Sequence, residues 1–127
     1  ILDSDYCVAV LRKKISLGDS IPVQHPLYLP VTAVVELTYG ALRSSNPAVN
    51  LLEVDKLLSV VTVLPFDTSA ARRMATVKAE LDRQGKPVAT LDLEIASIAL
   101  EQNLPLVTHN ARHFQRIPGL ILIDWLS

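Results

Sequence analysis

The period of the apolar positions changes repeatedly along the chain, and the changes predict helices alternating with strands. Ile1-Leu2 reads as the tail of a strand, and Asp3-Ser4-Asp5 opens a helix that carries Tyr6 to about Lys14. Gly18, Pro22 and Pro26 mark 16–27 as loop. Tyr28–Val31 is a short strand, and Thr32 is expected to cap a helix running through Glu36 towards Arg43. Pro47 starts a helix in which Leu51, Leu52, Val54, Leu57 and Leu58 recur at helical spacing. The β-branched run Val60–Leu64 predicts a strand. Asp67 and Thr68 cap a helix from Ser69 to about Arg83, closed by Gly85 and Pro87. Thr90 to about Gln102 is helical, and Leu104–Thr108 and Leu120–Ile123 are strands. Strands separated by helices predict one three-layer α/β domain over 1–127 with a mainly parallel central sheet.

Composition narrows the chemistry. With 12 Lys+Arg against 13 Asp+Glu the net charge is −1, so a strongly basic nucleic-acid footprint is absent globally, though a local patch is allowed. Cys7 is the single cysteine, which excludes an intramolecular disulfide and a Cys-based zinc site; it reads as a small core hydrophobe. No uncharged apolar run approaches the roughly 18 residues of a membrane span, and no signal peptide is expected. The expectation is a soluble, cytoplasmic protein with no membrane partner.

The carboxylates carry the chemistry. In an open α/β sheet, ligands bind outside the carboxyl ends of the strands. Asp3 follows the first strand, Glu36 lies one helical turn past Thr32, Asp92 begins a helix, and Asn110 follows the strand Leu104–Thr108. Clustered carboxylates repel unless a cation sits among them or one holds a proton. Oxygen donors without cysteine match Mg²⁺ or Mn²⁺, and such a site suits hydrolysis of a phosphodiester. Taken alone, Asp3 and Asp5 read more readily as helix caps than as ligands, and Asp92 also suits a helix N-cap or first turn. Glu36, flanked by Val34, Val35 and Leu37, is the sharper clue, because a carboxylate in an apolar stretch is costly unless paired.

The same residues carry a family resemblance along nearly the whole chain. Leu2-Asp3-Ser4-Asp5, Val31–Ala41 around Glu36, Leu64–Ala71, Gly85–Ala96 around Asp92, and Leu106–Phe114 followed by Pro118-Gly119-Leu120 and Asp124-Trp125 resemble, in order, the sequence blocks of VapC-like PIN-domain toxins. The resemblance implies a PIN-like α/β/α fold and a metal-dependent endoribonuclease. It also implies a small cognate antitoxin, an RNA substrate and a homodimer. It places metal ligands on Asp3, Glu36 and Asp92 for Mg²⁺ or Mn²⁺, with Asn110 as the fourth catalytic position. That position is often Asp in the family, and an amide is a weaker ligand, better suited to orienting water. A catalytically weak RNA- or protein-binding module is therefore the alternative.

Asp5, Ser4 and Thr108 are candidates for support of the ligands, and Arg43 and Arg112 for contact with phosphate. Arg72, Arg73, Lys78, Arg83, Lys86 and Arg116 read as solvated faces. Glu94, two residues past Asp92, is expected on the surface or at an interface. No catalytic part is expected of His109 or His113. A haloacid-dehalogenase-like phosphatase would share Asp3 and Asp5, but Tyr6-Cys7 follows where that pattern needs Gly-Thr/Val.

Overall fold

The computed structural model describes residues 1–3, 7, 8 and 26–124. Its elements are β1 (Tyr28–Pro30), α1 (Val31–Leu42), α2 (Pro47–Leu58), β2 (Thr62–Leu64), α3 (Thr68–Arg83), α4 (Thr90–Glu101), β3 (Leu106–Val107), α5 (Ala111–Phe114) and β4 (Leu122–Ile123). Among the described residues the strands pair in parallel: β1 with β2, and β3 with β4. Ile1–Asp3 joins the two pairs. Leu2 N–H donates to Tyr28 O at 2.8 Å, Asp3 N–H to Val107 O at 2.9 Å, and Val107 N–H to Ile1 O at 2.7 Å. The order across the sheet is therefore β2, β1, the Ile1–Asp3 segment, β3, β4.

Strand side chains alternate in direction, and the alternation sorts the core into two. Ile1, Leu64 and Leu106 pack with Val77 and Leu81 of α3 and Ile95 and Ile98 of α4. Leu2, Leu29 and Val107 pack on the other face with Leu37 and Ala41 of α1 and Val54 and Leu57 of α2. Neighbours in sequence, Leu106 and Val107, thus serve opposite cores, which is the three-layer α/β/α arrangement expected. Cys7 is fully buried in the second core, as read from the sequence. Among the described residues no helix is long and apolar enough to cross a membrane.

Several boundaries differ from the expected ones for identifiable reasons. Val60 N–H is bonded back to Leu57 O at 3.1 Å, closing α2, so sheet pairing begins only where Thr62 N–H reaches Leu27 O. Leu104 N–H is likewise taken by Ala99 O, and Pro105 has no N–H to give, so β3 starts at Leu106. Thr32 does not cap α1. Pro30 stands at that position, Val31 is already helical, and the Thr32 hydroxyl turns instead to Glu94. Asp67 does cap α3, accepting from Ala70 N–H at 2.9 Å. The single turn α5 has no counterpart among the elements expected from the sequence.

Candidate active site

Parallel strands deliver their carboxyl ends to one edge, and the candidate residues meet there. Asp3, Glu36, Asp92 and Asn110 line a single cavity of about 520 Å³ with Leu37, Leu91 and His113. Asp3 ends the central segment of the sheet, Glu36 sits in the second turn of α1, Asp92 in the first turn of α4, and Asn110 precedes α5. The four positions named from sequence are thus brought together.

Asp3 is the most enclosed of them, only 5% exposed. Its Oδ2 accepts from the buried Thr108 hydroxyl at 2.9 Å, and that hydroxyl accepts in turn from Asn110 N–H at 3.0 Å. The Asn110 bond leaves the hydroxyl hydrogen to point at the carboxylate, so the chain Asn110–Thr108–Asp3 has one direction. Cys7 N–H also donates to Asp3 O, at 3.3 Å. Ser4 and Asp5 lie outside the described residues.

Two residues make contacts that the sequence does not show. Glu94 is half-buried and accepts from the Thr32 hydroxyl at 3.2 Å, which ties α4 to α1 within the chain. His113 is brought to the site: its Nδ1 lies 3.5 Å from Oδ2 of Asp92. The signal for it was its position three residues past Asn110, which mattered only once α5 was known to be helical. His109 pairs with Asp124 at 3.1 Å, and neither lines the cavity. Arg43 caps the end of α1 with its guanidinium 5.2 Å from the centre of the Tyr39 ring and does not line the cavity. Arg112 lines an adjoining cavity that shares Asp92.

Among the described residues, no three acidic, histidine or cysteine side chains close on one point as metal ligands do. The donor chemistry nevertheless fits a hard divalent cation. The cavity offers carboxylate oxygens and an amide with no thiol, and its deepest carboxylate is held in place by a hydroxyl. A family model described as PIN domain matches residues 1–120. The chain belongs to the PIN-domain family.

Within that family it is similar to VapC proteins. The tRNA(fMet)-specific endonuclease VapC of Shigella flexneri is 35% identical over 127 residues, covering 98% of this chain and 96% of that protein. The Salmonella typhimurium protein of the same description is 36% identical over 128 residues with the same coverage. Among solved structures, VapBC2 from Rickettsia felis bound to a DNA fragment from their promoter matches with TM-score 0.89 at 28% identity, over 98% of this chain and 96% of that one. DNA-bound VapBC from Salmonella typhimurium matches with TM-score 0.87 at 35% identity over the same shares.

This PIN domain has a groove running away from the acidic cavity. A cavity of about 250 Å³ between α1 and α2 shares Val8, Glu36 and Leu37 with it and continues past Gly40 to Asn50 and Val54. Of the apolar positions on α2, Val54 and Leu57 are in the core, whereas Leu52 is exposed.

Proposed function

We propose that this PIN-domain chain, acting as one nuclease domain over 1–127, is the ribonuclease toxin of a toxin–antitoxin pair and hydrolyses RNA phosphodiester bonds. The observation that carries the reading is the buried Asp3, oriented by Thr108, at the head of a cavity it shares with Glu36 and Asp92. Burying and orienting a carboxylate beside two others works against stability unless the cluster has a use. The VapC relatives supply the substrate class, and tRNA(fMet) is the first RNA to try.

Asp3, Glu36 and Asp92 are the residues that would hold Mg²⁺ or Mn²⁺. Such an ion, when bound, supplies positive charge against the scissile phosphate and acidifies the attacking water. The chain does the rest. Thr108 fixes the rotamer of Asp3, and Glu94 with Thr32 fixes α4 against α1. Asn110 places an amide at the rim for water or a phosphate oxygen, and Arg112 offers a cation beyond Asp92.

The antitoxin partner is a small protein that lays a segment in the groove between α1 and α2 and sends an Arg or Lys into the carboxylates. The groove ends at Glu36, so a chain lying in it reaches the ligands directly. Self-association as a homodimer is part of the proposal: Val35, Tyr39 and Leu42 form an exposed apolar stripe on α1, and light scattering of the partner-free chain tests it.

The test of activity is incubation of partner-free protein with tRNA(fMet) and bulk tRNA in Mg²⁺, Mn²⁺ or EDTA, beside Asp92→Asn. Cleavage that needs the ion and is lost in the variant is the expected result. Folded protein, free of antitoxin, that cleaves no RNA under any of these conditions would leave a binding module in its place.

A further inference from the structure

Against the acidic cavity lies a second, more open one of about 380 Å³. The two share Asp92 and His113 as a common wall, and their charge is opposite. Among the described residues the first is lined by Asp3, Glu36 and Asp92 and by no Lys or Arg. The second carries Arg112 and Arg116, with Gln115 between them in sequence. Phe114 and Ile117 are buried, 1% and 3% exposed, and pin this turn to the core while Arg112 and Arg116 remain exposed.

These two arginines differ from most other Lys and Arg among the described residues. Lys56, Arg73, Lys78 and Arg83 each lie against a carboxylate, and Arg43 lies over Tyr39. Among the described residues Arg112 and Arg116 make no ion pair. Arg116, which reads from sequence as a solvated face, therefore stands with Arg112 as an uncommitted pair of guanidinium groups at the edge of the catalytic cavity.

We infer that this cavity is a phosphate subsite, holding a phosphodiester of the RNA strand next to the one presented to Asp3, Glu36 and Asp92. The inference rests on the ribonuclease reading and adds to it the second point at which the strand is held. A phosphate entering the acidic cavity meets carboxylates that repel it. Its neighbour along the strand, on the far side of Asp92, meets planar guanidinium donors that match phosphate oxygens, and the Gln115 amide adds a neutral donor. Interactions of this kind fix the register of the strand and carry no base information. The subsite thus decides which phosphodiester lies over the carboxylates.

The experiment reads binding without cleavage. Partner-free protein is titrated into fluorescently labelled tRNA(fMet) in EDTA over a series of salt concentrations. Arg112→Ala combined with Arg116→Ala is expected to weaken binding about tenfold. It is also expected to reduce the steepness of log K against log salt by about 0.7 for each single-stranded phosphate that is no longer neutralised. Arg112→Lys with Arg116→Lys keeps most of the slope, because the charge remains. Arg72→Ala, on α3 and away from both cavities, leaves the slope unchanged.

A folded double-alanine variant with wild-type affinity and slope overturns the inference. So does a variant that binds tRNA normally and loses only its grip on a copurifying antitoxin, since the cavity would then take a protein carboxylate. A reduced slope without ion-dependent cleavage by the parent chain upholds the subsite and sinks the nuclease reading. Cleavage with an unchanged slope does the reverse.

Discussion

Thr108 and Asp3, 105 positions apart in sequence, share a buried hydrogen bond of 2.9 Å. The same hydroxyl takes the N–H of Asn110, so the end of β3 and the end of the central segment are locked together where the cavity begins. Removing the hydroxyl leaves a nearly enclosed carboxylate short of a donor. Thr108→Val is expected to lower stability by about 1–3 kcal/mol and RNA cleavage by about 10–100-fold. Thr108→Ser should recover most of both, and chemical denaturation beside a cleavage assay checks the pair.

The carboxylates should separate by stability and not by activity. Asp3→Asn, Glu36→Gln and Asp92→Asn are each expected to reduce cleavage by about a hundredfold or more, matching the loss in EDTA. Asp92 lies in the first turn of α4, is partly exposed and faces His113, so its replacement is expected to cost about 0.3–1 kcal/mol, chiefly through the loss of a negative charge at a helix start. Asp3→Asn disturbs a buried hydrogen bond and should melt at a clearly lower temperature than Asp92→Asn. Equal melting temperatures would contradict the burial argument.

Glu94 accepts from Thr32 across the interface between α4 and α1. A double-mutant cycle with Thr32→Val and Glu94→Ala is expected to give a coupling energy of about 0.5–1.5 kcal/mol. Glu94→Gln keeps an acceptor and should behave close to the parent. A coupling of zero would mean that the two helices are held by packing alone.

Two helix ends depend on left-handed backbone. Gly85 has φ +67° after α3, and Asn103 has φ 56° after α4. At each, the following N–H reaches back into the helix, Lys86 to Leu81 O and Leu104 to Ala99 O, both at 3.0 Å. A Cβ at Gly85 meets no atom within 4 Å, so Gly85→Ala reports backbone strain without a clash. Thermal unfolding should show a loss of about 1–2 kcal/mol there, and Asn103→Gly should not destabilise.

Much of this protein is readable in one dimension. The β-branched runs, the Asp67 cap and Pro47 at a helix start are local signals, and the structure places β2, α3 and α2 where they point. Strand–helix alternation specifies a parallel sheet, and a parallel sheet collects its carboxyl ends on one edge. That is why the sequence alone assigns Asp3, Glu36, Asp92 and Asn110 to one edge, where they line one cavity.

What needed the tertiary structure were the partners that sequence separation hides. A hydroxyl at Thr32 looks like a helix cap until Pro30 takes that place and Glu94 arrives from 62 positions away. Residues past Asn110 carry no strong period, so α5, and with it His113 against Asp92 and Arg112 beside Arg116, followed only from the buried anchors Phe114 and Ile117. Local propensity chooses each element, but side-chain pairing across elements depends on distances that only the packed sheet and helices define.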